Sequence, residues 1–132
     1  MNSPQLKKIL YAEDEPDIRQ IATIAFEVIG GFQVETCESG ETVVETAHAF
    51  QPDLVVLDVM MPGVDGPGAM GALRQTEEFQ NTPVVFMTAK VMPAELERFK
   101  NLGALDVITK PFDPTTLCDQ IKRIWEDHHA AK

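Results

Sequence analysis

The chain has 132 residues, 44% of them hydrophobic, which suits one compact domain over residues 1–132, with its core between about 7 and 126 and short tails at both ends. Its formal net charge is -10, from 21 acidic against 11 basic residues, so its field repels phosphate backbones and anionic headgroups and excludes nucleic acid and membrane surfaces as direct partners. No stretch approaches the ~20 apolar residues of a membrane span, no export segment opens the chain, and Cys37 and Cys118 show no metal-like spacing; together these point to a soluble protein of the reducing cytoplasm.

Along the chain, apolar runs of strand length alternate with amphipathic segments of helix length, the pattern of βαβ units. The run Ile9 to Ala12 is a first strand. Pro16 then opens a helix carrying Ile18, Ile21, Ala22, Ala25 and Ile29 at spacings of three and four, which Gly30-Gly31 ends. Residues 32–37 form a second strand, and Ser39 caps a helix to about Phe50 with Val43, Val44 and Ala47 inward. After the Pro52-Asp53 turn comes the third strand, Leu54-Val55-Val56-Leu57, which is apolar without alternation and therefore central and covered on both faces. The loop Met61-Pro62-Gly63-Val64-Asp65-Gly66 leads into a weak helix whose first turn is unsettled by Gly66, Pro67 and Gly68. Residues 84–87 are a fourth strand; Pro93 opens a helix with Leu96, Phe99 and Leu102 on one side, closed by Gly103. Residues 105–108 are a short fifth strand, and Asp113 caps a last helix with Leu117, Ile121, Ile124 and Trp125 inward, fraying from Asp127. Five such units give a five-stranded parallel α/β sheet, doubly wound and flavodoxin-like, (βα)5, in the order 2-1-3-4-5.

A polar or charged residue stands where each of four apolar runs stops. Glu13-Asp14 follow the first, Asp58 the third, Thr88 the fourth and Lys110 the fifth. Carboxyl ends of parallel strands converge on one crevice, so these far-apart segments bring three carboxylates, a hydroxyl and an ammonium together. Clustered carboxylates repel, and hard oxygen ligands suit Mg²⁺. Asp14 and Asp58 are the expected direct ligands, Glu13 acts through water, and a main-chain carbonyl near Met60 completes the protein's share. An ionised Asp58 needs no general base to attack phosphorus, Lys110 is a point charge for phosphoryl oxygens, and Thr88 offers a hydroxyl.

With these residues in view, the chain resembles a receiver domain of the bacterial response-regulator family, of the stand-alone chemotaxis type. Glu13-Asp14-Glu15-Pro16, Asp58 with the loop 61–66, Thr88-Ala89, and Gly103-Ala104 through Lys110-Pro111-Phe112 carry the resemblance from Ile9 to about Trp125. It implies that Asp58 accepts a phosphoryl group from a sensor histidine kinase or histidine phosphotransferase, that Glu13 and Asp14 form the Mg²⁺ pocket, and that Thr88 and Lys110 are the response pair. It also implies a signalling module that does no chemistry beyond self-phosphotransfer and autodephosphorylation. Phosphorylation is expected to act on a downstream protein, or a second copy of the chain in a homodimer, through the face built by residues 93–125.

Two departures bear on the output. The first acidic pair is Glu-Asp rather than Asp-Asp, which lengthens one arm, and Val107 stands where many receivers place a swinging aromatic, which shifts the expected repacking onto Ala89-Lys90-Val91-Met92. No effector segment follows Trp125, so the chain is read as a stand-alone receiver or as one domain of a larger protein. The rival readings are a Mg²⁺-dependent aspartyl-phosphate phosphohydrolase, which usually needs a second acid where Met60 stands, and a phosphorylation-independent pseudo-receiver, against which the intact acidic pocket and Lys110 argue. His48, His128 and His129 read as surface residues, Met60-Met61 as loop and core packing, and Glu35, Glu38, Glu41 and Glu45 as a solvated acidic face.

Overall fold

A computed structural model describes residues 5–89 and 92–130. The five apolar runs form parallel strands: β1 Lys8–Ala12, β2 Gln33–Cys37, β3 Leu54–Asp58, β4 Val84–Thr88 and β5 Asp106–Thr109. They pair in the order β2-β1-β3-β4-β5, in the register Ile9↔Val34, Ile9↔Leu54, Val55↔Val84 and Val85↔Asp106. Every residue of β3 and β4 is buried, as continuous apolar runs in a doubly covered sheet require.

Because side chains alternate across a strand, the two faces sort by parity. Leu10, Ala12, Val55, Leu57, Val84 and Phe86 point to one side, where Val43 and Ala47 of α2 (Val43–Phe50), Met70 and Leu73 of α3 (Gly66–Arg74) and Phe99 of α4 (Pro93–Asn101) cover them. Ile9, Tyr11, Leu54, Val56, Val85 and Met87 point to the other, under Ala22 of α1 (Pro16–Ile24) and Leu117, Ile121 and Trp125 of α5 (Pro114–Ala130). The expected strand order and layer plan are thus those observed.

The differences lie in phase and ends. The first helix does not run unbroken to Gly30: α1 stops at Ile24 and a π-helical turn, Ala25–Ile29, follows, closed by Gly30 N–H donating to Ala25 O at 3.0 Å. The wider turn rotates the inward stripe by one residue. Phe26 becomes buried, Ile29 and Ile21 face solvent with Ile24 and Val28, and Gly30 takes the inward place, where a Cβ would lie 2.7 Å from Cys118 Sγ. Ser39 makes no side-chain cap; a 3-10 turn, Gly40–Thr42, comes between it and α2. Leu102 is exposed rather than packed beside Phe99. The last helix does not fray at Asp127 but continues to Ala130, where the His129 ring lies 4.3 Å from that of Trp125, so His128 and His129 are half-buried. Cys37 and Cys118 are both free and buried.

Candidate functional site

The hydrogen-bond ladders run one residue past the strands and carry the polar residues with them. Glu13 N–H donates to Cys37 O at 3.0 Å, Val59 N–H to Met87 O at 2.9 Å, and Lys110 N–H to Thr88 O at 2.8 Å. At the carboxyl ends of the adjacent strands β1 and β3, carboxylate oxygens of Glu13, Asp14 and Asp58 all lie within 4.8 Å of one another. Lys110 closes the group from β5, its Nζ 2.9 Å from Glu13 Oε1 and 3.2 Å from Asp58 Oδ2. The Lys110–Pro111 peptide is cis. Thr88 ends β4 beside them, 4% exposed and in register with Thr109.

The loop after Asp58 is fixed by backbone rather than by bulk. Gly63 takes φ +75°, a left-handed conformation that side chains rarely adopt. Gly66 packs so closely that a Cβ would stand 2.6 Å from the Asp58 carbonyl oxygen, and its N–H donates to Val59 O at 3.0 Å. The helix start left unsettled in the sequence is secured by Asp65, whose Oδ1 accepts from Gly68 N–H at 2.8 Å. Met60, on the same loop, is exposed and lines a cleft of about 350 Å³ together with Asp58, Lys110, Glu15 and Ala89. A larger groove, about 740 Å³, lies at the opposite end of the sheet between Lys7, Gly31, Lys122 and Trp125 and holds no carboxylate cluster.

Burial and charge divide the two buried carboxyls. Asp58 is pushed up to about 7, first by burial and then by its contact with the Glu13 carboxylate, with Lys110 pulling the other way. Burial also resists ionisation of Glu13, but hydrogen bonds from Lys110 and with Asp58 and the Glu15 N–H outweigh it, so Glu13 stays below its ordinary range. Burial works against the Lys110 ammonium too, and its bond to Glu13 with the charge of Asp58 raises it nonetheless. The pocket therefore matches one ammonium to one carboxylate and leaves the second, Asp58, to hold a proton or meet a cation. Three convergent oxygen donors, with Asp58 on the wall of the cleft, fit a hard divalent ion that keeps several waters, Mg²⁺ above all.

The structure thus brings together Glu13, Asp14, Asp58 and Lys110, sets Thr88 at the same edge and puts Met60 at the rim. Two contributors have no motif to announce them. Arg19 donates from Nη1 to Glu13 O at 2.8 Å and to Asp14 O at 3.5 Å, and pairs with Glu38 at 3.4 Å, which ties the acidic turn to α1. Tyr11 donates its hydroxyl to Glu13 Oε1 at 3.2 Å. The available signals are weak: Arg19 lies one turn into α1, and Tyr11, the single tyrosine, precedes Glu13 by two residues and so shares its side of the strand.

Known proteins resemble this chain in sequence and in fold. The family model of the response regulator receiver domain matches residues 9–122. The chain is 35% identical over 118 residues to the probable transcriptional regulator ycf27 of Guillardia theta, covering 89% of this chain and 45% of that protein. It is 34% identical over 109 residues to the response regulator Rre1 of a Synechocystis species, covering 83% and 47%. The chain therefore spans about half the length of these curated relatives. Among solved structures it is similar to the chemotaxis response regulator CheY4 of Vibrio cholerae, with a TM-score of 0.83 at 28% identity over 91% of this chain and 99% of that one.

Proposed function

The chain belongs to the response regulator receiver family, phosphoacceptor signalling modules of two-component systems, and on that premise we propose that Asp58 is its phosphoacceptor. The observation that carries the assignment is Lys110 Nζ standing 3.2 Å from Asp58 Oδ2 and 2.9 Å from Glu13 Oε1 inside a three-carboxylate cluster. An Asp58 oxygen attacks the phosphorus of a phosphohistidine on a sensor histidine kinase or histidine phosphotransferase. The P–N bond breaks as the P–O bond forms, and the imidazole leaves and takes up a proton from solvent. Asp14, Asp58 and the Met60 carbonyl, with Glu13 through water, would hold Mg²⁺, which would supply positive charge to offset that on the reacting oxygens and favour the ionised form of Asp58. Lys110 pairs with a phosphoryl oxygen, Thr88 donates its hydroxyl to another, and later attack by water returns the carboxylate.

The charge added at Asp58 draws Thr88 and Lys110 inward, and both precede segments that build the face of α4, β5 and α5. A downstream protein, or a second copy of the chain, reads that change. Repacking through residues 89–92 falls partly on Lys90 and Val91, which lie outside the described residues. A cytoplasmic setting is supported by membership of the response regulator family; among the described residues no helix is long and apolar enough to cross a membrane. A phosphohydrolase is disfavoured because Met60 supplies no second acid two residues after Asp58.

Incubation with a phosphohistidine donor or a small acyl phosphate should add one hydroxylamine-labile phosphoryl group by intact mass, only with a divalent ion and not in Asp58→Asn. Undiminished labelling of that variant would remove Asp58 from the role. Amide shifts with and without a phosphoryl mimic test the output face; perturbations confined to the pocket loops would exclude it.

A further inference from the structure

Tyr11 is fully buried in an apolar cluster with Ile9, Phe26 and Met87, its ring edge-to-face with Phe26 at 5.7 Å. A phenylalanine would pack there equally well. The hydroxyl is the part that packing does not explain, and a buried hydroxyl is costly unless bonded. It donates to Glu13 Oε1 at 3.2 Å and lies 3.7 Å from the weak acceptor Met87 Sδ.

We propose that the Tyr11 hydroxyl is a positioning group for Glu13, fixing the longer arm that glutamate brings to the acidic pair so that its carboxylate stays in the cation pocket. This rests on the reading that Glu13, Asp14 and Asp58 hold a divalent ion. Among the described residues, and besides Asp58, three donors reach the Glu13 carboxylate: Lys110 Nζ at 2.9 Å and the Tyr11 hydroxyl on Oε1, and Glu15 N–H at 3.3 Å on Oε2. The lysine is the one donor of the three that has other work. When Lys110 turns to a phosphoryl oxygen, Oε1 is left with Tyr11, and the glutamate side chain, with one more rotatable bond than aspartate, keeps its place through that bond. The geometry follows from the strand, since residues two apart share a side of the sheet and a tyrosine hydroxyl at position 11 reaches the end of a glutamate at 13. An aspartate there would end one methylene short.

The test is a cycle of four proteins, the wild type, Tyr11→Phe, Glu13→Asp and the double variant, each titrated with MgCl₂ by calorimetry and melted by circular dichroism. Partners of direct metal ligands contribute about tenfold or more to affinity, and Glu13 acts through water, so Tyr11→Phe should weaken Mg²⁺ binding by a smaller factor, about fivefold, at an unchanged fold. In the Glu13→Asp background the same substitution should change the Kd by less than about twofold. Equal losses in both backgrounds, which a general packing defect would produce, overturn the inference, as does a Tyr11→Phe protein that binds like the wild type. A wild type that takes up no Mg²⁺ overturns the cation reading itself, together with what is built on it.

Discussion

Glu13 and Phe99 mark two regions built on opposite plans. Around Glu13, at the carboxyl ends of β1 and β3, the side chain is wholly buried, Lys110, Tyr11 and Glu15 N–H donate to its carboxylate, and the turn after it is tied down by Arg19. Around Phe99, at the sheet edge, α4 contributes a single fully buried side chain, Leu96 is half-buried, Leu102 is exposed, and β5 buries Ile108 alone among its four residues. The ion pair across that edge, Lys100 to Asp106 at 3.9 Å, is solvent-exposed and worth little. The difference teaches where motion is cheap: the proposed chemistry, which needs fixed oxygens, sits on central strands, and α4, which is proposed to respond, is fastened by few apolar contacts.

If α4 hangs on one anchor, removing it should have the largest effect. Phe99→Ala empties the site that meets Phe86 edge-to-face at 5.1 Å and should cost about 3 kcal/mol in denaturant unfolding; a loss below about 1 kcal/mol would mean that α4 is held by more than Phe99.

The pocket should behave in the opposite sense, because its own key residue opposes folding. Asp58 is raised from 3.8 to about 7 in the folded chain. The native state therefore binds more protons between those values, and the contribution of Asp58 to stability is full below about pH 4 and lost as pH rises through 7. In metal-free buffer Asp58→Asn should match the wild type near pH 4 and exceed it by about 2 kcal/mol at pH 8, roughly half of the ~4 kcal/mol the full shift would give, because water and ions relax around the charged pocket, with saturating Mg²⁺ narrowing the gap. A constant difference across that range would show that Asp58 is not the strained group.

Within the pocket, direct and water-mediated ligands should separate. Asp14→Ala should weaken Mg²⁺ about tenfold more than Glu13→Ala, a gap of about 1.4 kcal/mol, by calorimetric titration; equal losses would make Glu13 a direct ligand as well. The smallest effect is expected at the loop under Asp58. Asp65→Ala removes the cap on Gly68 N–H and should cost about 1 kcal/mol in thermal unfolding, leaving Phe99→Ala to act independently of it.

The alternation of runs Ile9 to Ala12, 54–57 and 84–87 with helical segments was enough to order the strands, because a continuous apolar run has no stable place except inside a covered sheet. The pocket was legible for a related reason. Glu13, Asp58, Thr88 and Lys110 each follow an apolar run, and parallel strands bring such ends together whatever their distance in sequence. The phase of a helix was not so fixed: Ile18, Ile21, Ala22, Ala25 and Ile29 fit an inward stripe, yet one wide turn at Ala25–Ile29 put Phe26 and Gly30 inside and Ile29 outside. Periodicity assumes a constant twist, and the close approach of Gly30 to Cys118, 88 residues away by numbering, is visible only in three dimensions. Leu102 likewise has the spacing to pack beside Phe99, but the helix ends at Asn101 and turns it to solvent. By itself, then, the sequence determined the strand order and the meeting of carboxylates with lysine, since both follow from local patterns and strand direction. Tertiary structure decided which groups steady the meeting, Tyr11 on Glu13 Oε1 and Arg19 on the Glu13 carbonyl, because a hydrogen bond depends on ångström-scale distances that no spacing of residues encodes.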